Sequence, residues 1–168
     1  MLLQKGFETP APIAYVEERR YGLINYSYFI SMQSPYQRSF YEFGNADVED
    51  CKDVVVAFAR YTAELHQAGI MHRDYSPGNI LFDKIGDSYH FALVDINRMT
   101  FGVISVEMGC ANFARLWGQI AFFELLAKEY ARARHADEAC CVKRVLECRR
   151  KFWTYFAKKH TVKYKLEL

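Results

Sequence analysis

Two short apolar runs, Ile80-Leu81-Phe82 and Phe91-Ala92-Leu93-Val94, flank a turn built on Gly86-Asp87. Each is too short for a stable helix and is bounded by turn residues, so the pair reads as a β-hairpin. This reading constrains the chain more than any other, because polar residues cap the outer end of each run. Asn79 precedes the first run, and Asp95 closes the second sixteen positions later. A tight hairpin brings those ends together. Immediately upstream, His72-Arg73-Asp74-Tyr75-Ser76-Pro77-Gly78-Asn79 packs a basic residue, a carboxylate, a proline, a glycine and a carboxamide into eight positions.

The rest of the chain supports a fold around that hairpin. Thr9-Pro10-Ala11-Pro12 cannot sit inside a helix or a central strand and is an extended connector. Ile13–Glu17 and Leu23–Met32 read as two strands joined by a turn over Glu18–Gly22. Gln33-Ser34-Pro35 ends the second, and residues 36–46 form an irregular or short helical connection. A helix is expected from Asp47, a capping residue, to about Gln67, with Val54, Val55, Phe58, Ala59, Tyr61, Thr62 and Leu65 on its apolar side. Gly69 stops it. Beyond the central hairpin, Arg98–Gly109 reads as a loop. One helix is expected from Asn112 to Arg134 and a last one from Glu138 to Lys159.

At 168 residues, one domain with one sizeable core is the default. Hydrophobic residues at 51% and charged residues at 25% exclude a disordered chain. The five cysteines show no C-x-x-C spacing, which points to reduced thiols and neither a disulfide framework nor a zinc site. The first 20 residues hold no apolar leader, and no run is long enough to span a bilayer, so a soluble, cytoplasmic protein is expected. From His135 onward nine Lys/Arg face four Asp/Glu. The plainer reading of that tail is a solvated helix face. The sharper one is peripheral contact with the inner membrane or a phosphorylated glycolipid through Arg149, Arg150, Lys151, Lys158 and Lys159, with Trp153 and Phe156 near the interface. No motif supports nucleic-acid binding.

A lone Asp or Asn in a turn is ordinarily a cap. Asp74, Asn79 and Asp95 together suggest more. Two oxygen-bearing side chains fixed to neighbouring strand ends suit Mg²⁺ on ATP, and a third such side chain nearby, the Asp74 carboxylate, suits orientation of an attacking hydroxyl. The run Leu65–Leu81 resembles the catalytic loop of the protein-kinase-like superfamily, and Val94-Asp95-Ile96-Asn97 resembles its metal-binding segment. Ser76-Pro77-Gly78-Asn79 is similar to small-molecule kinases such as aminoglycoside phosphotransferases. Asp95-Ile96-Asn97-Arg98 is similar to the lipopolysaccharide kinases of the Kdo/WaaP family, as are Thr9–Pro12, Asn112 and Arg115-Leu116.

The resemblance implies an α+β, protein-kinase-like fold: mainly the helical C-terminal lobe (35–168), with a residual N-lobe β-hairpin and hinge (1–34). It implies ATP-dependent phosphorylation of a sugar hydroxyl of the lipopolysaccharide inner core. Asp74 would orient the acceptor and Arg73 would support the loop. Asn79 and Asp95 would hold Mg²⁺, His72 would pack beneath Asp95, and Ser31, Met32 and Gln33 would meet adenine. The family pattern also has a Gly-rich loop and a strand lysine upstream, and neither is found before Thr9, where Lys5 is the sole lysine. Two competing readings stay open: a protein kinase, and a truncated or pseudokinase-like binding module without catalysis.

Overall fold

The computed structural model describes residues 1–162 and 166–168; Lys163 and Lys165 of the basic tail lie outside the described residues. A two-stranded antiparallel ribbon comes first, β1 (Pro12–Arg20) and β2 (Leu23–Ser31), paired from Pro12↔Ser31 to Arg20↔Leu23. The turn is narrower than expected, Tyr21-Gly22, with both residues at positive φ. That is the backbone of a two-residue hairpin loop whose twist matches the strands. After the ribbon, β3 (Arg38–Ser39) and a single 3-10 turn, Phe40–Phe43, lead into α1 (Val48–Gln67). Asp47 caps α1 as expected: its side chain accepts the Glu49 N–H at 3.0 Å.

The central hairpin is present, with strands longer than the apolar runs alone suggest. β5 (Ile80–Ile85) pairs with β6 (Ser88–Leu93) in the register Ile80↔Leu93 to Ile85↔Ser88, and β3 adds to its edge. Two expectations for the following stretch fail. The expected loop over 98–109 contains a strand, β7 (Met99–Phe101), which pairs with β4 (Ile70–His72), and the start of a helix, α2 (Val106–Asn112). The expected single helix over 112–134 is broken. After α2 comes one 3-10 turn at Phe113–Arg115, then extended chain, then α3 (Ile120–Ala133). Side chains of α4 (Glu138–Ala157) account for the break. Trp153 Nε1 donates to the Leu116 carbonyl at 3.3 Å, and an Arg149 Nη2 donates to that of Gly118 at 2.7 Å, so both carbonyls are satisfied without helix.

The core lies between α1, α3 and the central hairpin, and it is unusually aromatic. Phe58 of α1 is fully buried and sits 4.1 Å from the Phe40 ring centroid, 5.6 Å from that of Tyr75 and 5.5 Å from that of Phe91. Phe82, Phe113, Phe122 and Phe123 complete the same cluster. The high aromatic content therefore forms the floor beneath the His72–Asn79 loop. Burial also corrects the expected membrane-facing set. Arg149 and Trp153 are buried, leaving Arg150, Lys151, Lys158 and Lys159 exposed. Among the described residues, no helix is long and apolar enough to cross a membrane.

Candidate active site

The loop after β4 is held from several directions at once. The His72 ring accepts the Asp74 N–H at Nδ1 (3.1 Å), which leaves Nε2 to donate to the Val94 carbonyl (3.0 Å). His72 is thus a structural bridge, reaching the residue before Asp95. The Asp74 carbonyl accepts from the Ser76 N–H at 2.8 Å and from Asn79 Nδ2 at 2.9 Å. Tyr75 is fully buried, its hydroxyl 2.9 Å from Thr62 Oγ1. Because Thr62 gives its own proton to the Phe58 carbonyl at 2.8 Å, Tyr75 is the donor in that pair, and the loop is pinned to α1. The Tyr41 ring covers Gly78 so closely that a Cβ there would lie 2.9 Å from it.

The hairpin delivers the second half of the site. The Val94 N–H donates to the Asn79 carbonyl at 3.1 Å, extending the β5–β6 ladder one step and placing Asp95 next to Asn79. Asp95 adopts a left-handed conformation, φ 55° and ψ 47°, and is exposed. For an Asp that backbone costs about 1 kcal/mol, and the paired strands on its N-terminal side hold it there. With Asn79 Nδ2 engaged, its Oδ1 stays open, so the pair offers a carboxylate and an amide oxygen. This hard oxygen set fits Mg²⁺ that takes its other ligands from phosphate and water. Among the described residues, no group of three or more His, Cys, Asp or Glu side chains forms a metal-type cage.

Asp95 also lines a cleft of about 780 Å³. Ser31, Met32 and Gln33 line the same cleft, and Phe29, Leu81 and Ile96 add apolar lining. The expected hinge residues and Asp95 therefore line one cavity. Asn79 does not line it and joins the site through Asp74 and Val94. Lys and Arg are missing from the described lining, and the Lys5 ammonium instead bonds the Ala68 carbonyl at 3.0 Å.

Asp74 has a partner that the sequence reading did not assign. Arg115 Nη1 lies 2.5 Å from Asp74 Oδ1, and the guanidinium sits 5.2 Å from the Phe152 ring centroid of α4. Arg73, expected to support the loop, does so through its backbone, its N–H donating to the Arg98 carbonyl at 2.8 Å, while its side chain is exposed. A second unassigned residue is Asn112, at the end of α2. Its Nδ2 donates to the His72 carbonyl at 2.9 Å, and its Oδ1 accepts from His66 Nε2 at 3.1 Å. His66 Nδ1 in turn accepts from the Tyr130 hydroxyl at 2.9 Å. Burial pulls His66 down to about 4, so it is neutral at physiological pH, as this pattern of one donor and one acceptor requires. Arg115 lies 41 residues from Asp74, and no periodicity connects them. The available signals were the lack of a cation between Asp74 and Asn79 and the family resemblance at Asn112 and Arg115-Leu116, which carried no role.

The model of a family described as "Phosphotransferase enzyme family" matches residues 42–141, which contain the loop, the central hairpin, α2 and α3. Among solved structures, one of WaaP in complex with acyl carrier protein is similar, with a TM-score of 0.61 and 18% identity over 90% of this chain and 72% of that chain. At that identity the likeness establishes a kinase-like fold. No curated protein sequence matches.

Proposed function

The chain belongs to the phosphotransferase enzyme family, and on that premise we propose that it is an ATP- and Mg²⁺-dependent kinase acting on a sugar hydroxyl of the lipopolysaccharide inner core. One observation carries the reading: Asp74 is locked to Asn79, Asn79 is paired to Val94, and the adjoining Asp95 lines one cleft with the Ser31–Gln33 segment. Adenine against that segment would direct the phosphates toward Asp95. Asp95 and Asn79 would hold Mg²⁺, which would supply neutralisation of charge on the phosphates. Asp74 Oδ2, which makes no hydrogen bond among the described residues, aligns the acceptor hydroxyl and takes its proton as the acceptor O–P bond forms and the bond from the γ-phosphorus to the bridging oxygen breaks, releasing ADP. Phosphoryl transfer demands mainly such positioning and charge neutralisation. The sugar acceptor rests on the likeness of Asp95-Ile96-Asn97-Arg98 to lipopolysaccharide kinases and is supported by the WaaP-like fold.

A second reading, nucleotide binding without transfer, is favoured by one observation: no lysine or arginine among the described lining residues meets the phosphates in the cleft. Phosphate transfer from γ-labelled ATP to de-phosphorylated inner-core oligosaccharide separates the two. The kinase reading expects Mg²⁺-dependent transfer that falls about a thousandfold in Asp74→Asn. Mg·ATP binding with no transfer above the Asp74→Asn background overturns it in favour of the binding module.

A further inference from the structure

Asp74 carries the burden of orienting the acceptor, and its backbone is fixed at both ends by His72 and Asn79. Neither bond fixes its side chain. A carboxylate that can rotate about its own torsions presents its free oxygen in several directions, and misplacement of a reacting atom by about 1 Å can lose a hundredfold in rate. Within the loop nothing prevents this, since no cation lies between Asp74 and Asn79. The restraint comes from outside. Arg115 Nη1 meets Asp74 Oδ1 at 2.5 Å, and the guanidinium plane rests over Phe152. Arg115 is itself placed by chain architecture: it ends the 3-10 turn after α2, next to the break whose carbonyls are held by Trp153 and Arg149 of α4.

From this geometry we infer that Arg115 is the positioning residue of the phosphotransferase site: it holds Asp74 Oδ1 so that Oδ2 faces the acceptor, and Phe152 of the C-terminal helix holds Arg115. The inference rests on the kinase reading above. It adds a dependence that reading does not contain: α4, the element farthest along the chain, takes part in setting the orientation of the reacting carboxylate. A charge-assisted pair with a fixed fork constrains direction better than an ammonium does, because the guanidinium is planar and its N–H groups point at fixed angles. The Arg115 side chain is 40% exposed, so its removal leaves no buried void.

Steady-state transfer by Arg115→Gln, Arg115→Lys and Phe152→Leu tests the inference, with melting temperature followed in parallel. Arg115→Gln is expected to lose about a hundredfold in kcat with KM for ATP within twofold of the parent, since the hinge cleft is untouched. Arg115→Lys recovers part of that loss, because it restores charge without the fork. Guanidinium ion at millimolar concentration raises kcat of Arg115→Ala but not of the parent, a rescue that a merely structural role would not produce. Phe152→Leu lowers kcat severalfold in the same direction. Asp74-dependent transfer that survives in Arg115→Gln overturns the positioning role while leaving the kinase reading intact. Faster transfer in Arg115→Gln also overturns it and makes the ion pair an inhibitory clamp. Absence of Asp74-dependent transfer in the parent chain overturns the kinase reading, and the inference with it.

Discussion

The loop from His72 to Asn79 and the ribbon β1–β2 illustrate opposite ways of specifying structure. The loop has almost no regular secondary structure, yet its backbone is held by the His72 ring, the Asn79 carboxamide, the Asn112 carboxamide and the Arg98 carbonyl. The ribbon is regular strand apart from register shifts at Pro12/Ala14 and Glu18/Arg19, and it has little besides its own ladder. Tyr15, Leu23, Tyr26, Tyr28 and Phe29 are all more than half exposed on it. An isolated two-stranded ribbon is marginal in water, whereas a loop bonded from several sides is over-determined. Regularity is therefore a poor guide to rigidity in this molecule. Precision is concentrated where side chains meet backbone groups.

The contrast can be broken first beneath the loop. Phe58 lies under Tyr75, so Phe58→Ala should remove about 4 kcal/mol of stability in urea unfolding, with a matching loss of order in the loop. A loss below about 1 kcal/mol would mean that the loop does not depend on the aromatic floor. A somewhat smaller effect sharpens the comparison through pH. His66 is held near 4 in the folded chain against its ordinary value of 6.5, so the unfolded chain binds more protons between those values. Stability that is fully present above about pH 6.5 should fall as pH drops toward 4, by on the order of 3 kcal/mol from this residue. His66→Gln should flatten that part of the profile relative to the parent; superimposable slopes would remove His66 from the network. The smallest effect belongs to the ribbon. Tyr26→Thr keeps a strand-forming residue and deletes an exposed ring, so the melting free energy should change by about 0.5 kcal/mol or less. A larger loss would show the ribbon to be as constrained as the loop.

The sequence was informative where a short period or a local signal specified structure. The hairpin around Gly86-Asp87 and the Asp47 cap depend on neighbours in sequence, and both were legible. The break after Phe113 was not. Phe113, Leu116, Ile120 and Phe123 keep helical spacing across it, and only Trp153 and Arg149, from a distant helix, supply the donors that make an extended segment tolerable there. Arg149 shows the same limit in reverse. Its neighbours Arg150 and Lys151 suggested a surface cation, but it is buried over the Phe123 ring at 4.5 Å, where burial draws its guanidinium down to about 10. In the candidate site, Asn79 and Asp95 were expected together because the hairpin joins the strand ends beside them, and Asp74 because it lies five residues before Asn79. Arg115 and Asn112 act on the loop from forty residues away or more, and contacts at that distance follow no periodic rule.

The left-handed backbone of Asp95 carries an evolutionary consequence. A glycine at this position would relieve the torsional cost, about 1 kcal/mol, while deleting the carboxylate. Loss of the Asp95 carboxylate is here a thermodynamically downhill step. A chain selected for stability alone should drift toward glycine at this position. The expected signature in Asp95→Gly is a melting temperature equal to or above the parent's together with Mg²⁺-independent nucleotide binding. A clear drop in melting temperature would show that the conformation is not strained and that no such gradient exists.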